Sequence, residues 1–184
     1  MAEEGQSRPL NFRPPTTSAA KPVSPFTPPS VDFFKGLWHV VHATLPMWKK
    51  NRNVTIMYTP LDGSPGAWDN LVSYQPLGSD KNKTVRGLEH PDLEVPAKWK
   101  WRGKGLLMIA SSQWEILGYG HEEGGWAVIF FEKTLFTPAG IDVLARQKTG
   151  LSAELMQRIK AEMEKVDDRG FNEQADKMFA VKQE

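Results

Sequence analysis

Eight short β-prone runs in succession constrain the fold of this chain more than any other feature. They are rich in β-branched and aromatic residues, and Gly, Pro, Asn or Asp separates most neighbours. Even spacing with short turns favours an up-and-down barrel over a sandwich. The runs cover residues 33–44, 53–59, 69–75, 83–88, 98–102, 106–119, 126–133 and 141–147.

One amphipathic helix is predicted after the strands, over residues 152–166, with Ser152 as its N-cap. Its charged face is interpreted as solvated, and its apolar face is expected to pack on the barrel. The sequence therefore predicts an all-β fold with one C-terminal helix, namely an eight-stranded antiparallel up-and-down barrel with the helix outside. A single helical turn (171–177) and one more short strand (178–182) are expected to follow.

The first thirty residues have a different composition from the rest. Seven of the 14 Pro lie there, with seven Ser and Thr and few apolar side chains. We expect residues 1–30 to be a disordered tail and residues 31–184 to form the barrel domain. No signal-peptide pattern and no apolar run of transmembrane length is present, so we expect a cytoplasmic protein without a transmembrane segment.

The composition excludes several kinds of chemistry. With no Cys, the chain has no disulfide, thiolate nucleophile or Cys-ligated metal. Four scattered His without metal-ligand spacing predict no metal site, and no phosphate-binding loop or other cofactor motif is found. A net charge of +1 argues against nucleic acid as a partner. Seven Trp and nine Phe are more than a minimal core requires, and such side chains often line pockets.

Several motifs in chain order resemble those of the lipocalins. The sequence DFFKGLW at residues 32–38 ends in Gly-x-Trp, and PAKWK at 96–100 and WAVI at 126–129 follow in family order. VLAR then ends at Arg146, and GLSAE begins at residue 150, before the helix. The order of these last motifs is most similar to the bacterial outer-membrane lipocalin and apolipoprotein D branch.

The resemblance implies a structural role for Gly36, Trp38 and Arg146. In that family the Trp lies at the closed end of the barrel and the Arg covers it, so Trp38 and Arg146 would form a cation–π pair. Three departures stand out. The signal peptide and disulfides of exported members are missing, the second family motif is only partly kept at residues 123–126, and the Pro-rich tail has no family counterpart.

Strand alternation predicts which side chains face the interior. If Trp38 points inward, His42 should as well, nearer the open end. On the fifth strand Lys98, Lys100 and Arg102 cannot face an apolar interior. Trp99 and Trp101 should therefore face it, either as walls for a ligand or as filling of a small closed core.

Other polar residues are weaker candidates for the site. Tyr58 and Tyr74 can each present a phenol to a ligand. Glu115 shares a face with Gln113 on the sixth strand, and the sequence does not decide whether that face is inside. Asp142 is placed with Arg146 on one face, so an ion pair and a role in the site are both open.

Two functions from different classes are compatible with these residues. The first is a lipocalin-like protein that encloses a small hydrophobic metabolite, such as a lipid, an isoprenoid or a polyketide-like molecule. The alternative is a cofactor-independent cyclase or isomerase, of pericyclase type, that preorganises a secondary-metabolite precursor in the interior of the same barrel. In that enzyme His42 would be the general acid or base, and Glu115 would assist. A monomer and a homodimer are both left open.

Overall fold

The computed structural model describes residues 10–22 and 24–184. Strands make up most of the regular secondary structure, and the described residues also form three α-helices: α1 (Val31–Phe34), α2 (Ala153–Glu164) and α3 (Arg169–Ala175). The strands are β1 (Asn11–Phe12), β2 (Gly36–Ala43), β3 (Asn51–Pro60), β4 (Trp68–Pro76), β5 (Lys83–Pro91), β6 (Lys98–Gly103), β7 (Ser111–Gly120), β8 (Trp126–Phe131), β9 (Gly140–Ala145) and β10 (Phe179–Ala180).

Strands β2 to β9 form a closed antiparallel barrel. Each strand pairs with the next along the chain, and β2 also pairs with β9, so no edge is left open within this set. The predicted fold class is confirmed, because each of the eight barrel strands overlaps a predicted run and the long helix lies outside. The sixth run, predicted from residue 106, begins as a strand only at Ser111. Two short strands extend the sheet beyond the barrel: β1 pairs with β7, and β10 pairs with β2.

Two apolar clusters stabilise the fold on opposite sides of the barrel wall. The inner cluster includes Trp38, Trp68 and Trp114, all nearly inaccessible to solvent. The outer cluster packs Ile159 and Met163 of α2 against the outward face of β8 and β9. Because barrel strands alternate inward and outward residues, strands buried on both faces have apolar residues at nearly every position.

The chain enters the barrel through α1, where the sequence predicts the first strand. Ser30 caps this turn by accepting a hydrogen bond from the Phe33 amide (3.1 Å), and Gly36 adopts φ +99°, which turns the chain into β2. Phe34 lies under the barrel, where its ring contacts those of Trp99 and Trp114. Helix α1 therefore closes this end of the interior with an aromatic side chain.

Part of the segment predicted to be disordered packs against the barrel instead. Strand β1 pairs with β7, and Leu10 and Phe12 are buried in the outer cluster. Gly118 makes this possible, because a Cβ at that position would overlap the ring of Phe12. Residues 1–9 and residue 23 lie outside the described part of the chain.

Candidate functional site: an apolar cavity with two buried carboxyl groups

The barrel contains a cavity of about 250 Å³ near its open end, the end opposite α1. It is lined at the open end by the loops that follow β2, β6 and β8, and its walls are mainly aromatic and aliphatic. The aromatic lining residues are Trp48, Tyr58, Trp101, Trp114, Phe131 and Phe136. For comparison, an apolar cavity of about 150 Å³ holds benzene, so this space suits a compact organic molecule.

The two Trp residues predicted to face inward have different surroundings. Trp99 stacks on Trp114 with ring centroids 4.7 Å apart, and its Nε1 donates to the Gly66 carbonyl oxygen (2.9 Å). Trp99 is therefore part of the packed interior at the closed end of the barrel, and it is not among the residues that line the cavity. Trp101 lines the cavity and crosses over Gly87, where any Cβ would overlap the indole.

Glu89 places a carboxyl group inside the cavity from β5. Its side chain lies opposite Trp101 on β6 and Trp68 on β4, and the residue is 1% exposed. Trp114 Nε1 donates a hydrogen bond to Glu89 Oε2 at 2.7 Å. Burial raises the pKa of Glu89 to about 8, although the bond from Trp114 favours the ionised form.

Asp142 supplies a second carboxyl group from β9. The residue is 1% exposed, and Trp48 Nε1 donates to its Oδ2 at 3.3 Å. Burial raises the pKa of Asp142 to about 7. Its Oδ1 has no hydrogen-bond partner, and neither has Oδ1 of Asn70, which also lines the cavity. Arg146 donates its hydrogen bonds to backbone carbonyl oxygens of Leu37 and Lys35, so the ion pair considered for Asp142 does not form.

The two tyrosines predicted as ligand contacts lie at different depths. Tyr58 lines the cavity and is fully buried, and burial, followed by the charges of Glu89 and Asp142, raises the pKa of its phenol. It therefore stays protonated. Tyr74 packs edge-on against Trp48 with ring centroids 5.8 Å apart, and it is not among the residues that line the cavity.

Gly36, Trp38 and Arg146 lie together at the closed end, away from the cavity. The Arg146 guanidinium lies 3.7 Å from the centroid of the Trp38 ring and donates to the carbonyl oxygens of Leu37 (2.7 Å) and Lys35 (2.8 Å). A Cβ on Gly36 would come within 3.4 Å of the guanidinium. These contacts are structural and hold α1 to the barrel.

His42 lies outside the barrel interior, which corrects the prediction that its side chain points inward. A bulge between Val40 and His42 inserts one residue, so that His42 pairs with Val143, whose side chain packs in the outer cluster. Burial and the positive charge of Lys160 on α2 lower the pKa of His42. It is absent from the residues that line the cavity.

Glu115 is also on the outside of the barrel, beneath the N-terminal segment. Its carboxylate pairs with Arg13 (3.0 Å) and accepts hydrogen bonds from the amide and hydroxyl of Thr16 (2.8 and 3.0 Å). The opposite face of β7, with Trp114 and Ile116, is the inner one. Glu115 therefore anchors the segment, and the structure brings neither His42 nor Glu115 to the cavity.

Sequence reasoning missed Glu89 and Asn70. Glu89 lies one residue beyond the end of the predicted fourth run, beside His90 and Pro91, which suit a loop by their composition. The available signal was alternation, since Val85, Gly87 and Glu89 share one face if the strand continues.

Among the described residues, no group of three or more His, Asp or Glu could hold a metal ion. None of the described helices is long and apolar enough to cross a membrane.

An up-and-down barrel of eight antiparallel strands, with an outer helix and an internal cavity, is a lipocalin-like architecture. No protein-family model and no curated protein matches the sequence. Among solved structures, the siderocalin Ex-FABP, described as functioning through dual ligand specificities, is similar, with a TM-score of 0.54. The match covers 82% of this chain and 93% of that chain at 14% identity, and it establishes the fold.

Proposed function

We propose that the barrel binds a small, largely hydrophobic molecule in the cavity beneath its open end. The observation that carries this proposal is the cavity itself, about 250 Å³ of space inside the barrel with mainly aromatic and aliphatic walls. Scaling from benzene, the cavity holds on the order of ten non-hydrogen atoms. A longer lipid, isoprenoid or polyketide-like metabolite would extend through the open end.

Two finer parts of the proposal, the lipocalin branch and the cellular location, are supported by the sequence. The order of motifs from residue 150 onward favours the bacterial outer-membrane lipocalin and apolipoprotein D branch. The lack of cysteine fits a reducing compartment, and we propose a cytoplasmic location. The siderocalin Ex-FABP functions through dual ligand specificities on a similar fold, which supports a binding role for this barrel.

Tryptophan fluorescence tests the binding proposal directly. Retinol or a fatty-acid probe should quench the emission, because Trp48, Trp101 and Trp114 line the cavity. Trp101→Ala removes one cavity wall and should weaken quenching strongly. Arg102→Ala is the matched control, because Arg102 is the next residue on β6 and its side chain is exposed. Absence of quenching by every apolar probe would contradict the proposal.

A second candidate function, a cyclase or isomerase, is supported by the two carboxyl groups inside the cavity. Their raised pKa values keep a proton available near neutral pH, as a general acid requires. These groups replace His42 and Glu115 in that hypothesis. Deletion of the protein in its host should make an uncyclised precursor accumulate, and Glu89→Gln with Asp142→Asn should not restore the product. An unchanged metabolite profile would count against catalysis.

A further inference from the structure

The cavity contains hydrogen-bond acceptors that no described side chain satisfies. Oδ1 of Asp142 and Oδ1 of Asn70 are buried and have no partner, and Asn70 is only 3% exposed. No Lys, Arg or His is among the residues that line the cavity. Two carboxyl groups therefore lie in the cavity without a cation, and in the free protein protonation and water compensate for the missing donors. A ligand with a hydrogen-bond donor can replace that water.

The walls around these acceptors are mainly aromatic. Trp48 and Trp114 each donate their indole N–H to a carboxyl oxygen, so the N–H edge of each ring lies at an acidic group. Trp101 is paired with Glu89 across the β5–β6 pair. The carboxyl oxygens attract a cation, and the aromatic walls give its apolar part a surface to contact. A neutral hydrocarbon would fill the space but would leave Oδ1 of Asp142 and Oδ1 of Asn70 unpaired.

We infer that the cavity binds a small organic cation, an amine whose ammonium group pairs with the Asp142 carboxyl, whose Oδ1 has no partner, while its apolar part contacts the aromatic walls. This inference rests on the proposed binding function and names the chemical class of its ligand. The ammonium donates to the unpaired oxygen of Asp142 and balances the charge of its ionised carboxylate.

Binding of such a cation is coupled to proton release. In the free protein, burial raises the pKa of Glu89 to about 8 and that of Asp142 to about 7. An ammonium ion favours the ionised carboxylates, so protons leave to solvent as it binds. The remaining titratable lining residue is Tyr58, whose raised pKa keeps it neutral. The neighbours opposite the two groups are Trp68 and Trp101 for Glu89, and Ala43 and Ile129 for Asp142.

Isothermal titration calorimetry of the full chain with two probes of matched shape tests the inference. The probes are 2-phenylethylamine, which is a cation, and 2-phenylethanol, which is neutral. At pH 8 the amine should bind about tenfold more tightly than the alcohol. Between pH 6 and pH 8 its affinity should rise about tenfold, because Asp142 changes from mostly protonated to mostly ionised. The affinity of the alcohol should not rise.

Variants assign the effect to the carboxyl groups. Glu89→Gln and Asp142→Asn keep the shape and an oxygen acceptor for the indole, and together they should abolish the preference for the amine. Glu94→Gln, an exposed loop position, should leave the preference unchanged. Equal binding of both probes, or binding of the alcohol alone, would overturn the inference and leave the proposed function intact. If retinol and fatty acid also fail to bind, the proposed function fails as well.

Discussion

The protonation of Glu89 should make the stability of this protein fall as the pH rises. Its pKa is 4.5 in an ordinary glutamate and about 8 in the folded barrel, so the folded state keeps a proton that the unfolded chain loses. The stabilisation is fully present below pH 4.5 and is lost as the pH rises through about 8. Glu89→Gln removes this dependence because an amide does not ionise.

The size of the effect follows from the interval between the two pKa values. Each pH unit within it changes the free energy of unfolding by about 1.4 kcal/mol. The full loss is therefore about 5 kcal/mol, of which about 3 kcal/mol has occurred by pH 7. Water entering through the open end would hydrate the ionised carboxylate, so about 5 kcal/mol is an upper limit.

Urea unfolding at pH 5 and pH 8.5 measures this difference for the wild-type chain and Glu89→Gln. The amide introduced by this substitution keeps a carbonyl oxygen for the Trp114 indole, so the variant isolates the charge. We expect the variant to lose less stability than wild type over this range, and Glu94→Gln, at an exposed loop position, to behave as wild type. Identical pH dependence in wild type and Glu89→Gln would refute the reasoning.

Three further variants test the packing that positions the site. Gly118→Val should displace Phe12 and release β1, seen as faster hydrogen exchange of the Arg13 amide, which donates to the Leu117 carbonyl oxygen; unchanged exchange would contradict the close fit. Arg146→Ala should cost about 2 to 3 kcal/mol in urea unfolding by removing the contact with Trp38 and its backbone bonds, with Arg146→Lys recovering only part. Ile159→Ala should cost about 2 to 5 kcal/mol by the same assay, and a change below about 0.5 kcal/mol would show that α2 contributes little.

Local sequence predicts much of the architecture because its signals are short-range. Period-two runs and turn residues locate all eight barrel strands, and Ser152 marks the start of α2, where it caps the Leu155 amide. The predicted first strand begins too early, since apolar residues 33–34 suit either a strand or a helical turn. Only the Ser30 cap and the position of Phe34 under the barrel decide between them.

The inward or outward direction of each side chain is predictable only where alternation is regular. On β6 the charged residues fix the direction of Trp99 and Trp101. On β2 the bulge after Val40 reverses the pattern and moves His42 outside. A bulge depends on how two distant strands pair, and the sequence around residue 42 carries no sign of it.

The sequence by itself determined the strand order, the outer helix and the aromatic content of the barrel, because these depend on composition and on neighbours along the chain. Only the tertiary structure decided which acidic groups matter. It covered Glu115 with the N-terminal segment. It also enclosed Glu89 and Asp142 in one cavity, although these two residues are 53 positions apart in the chain. Their raised pKa values arise from burial, which the closing of the barrel produces and which no local pattern encodes.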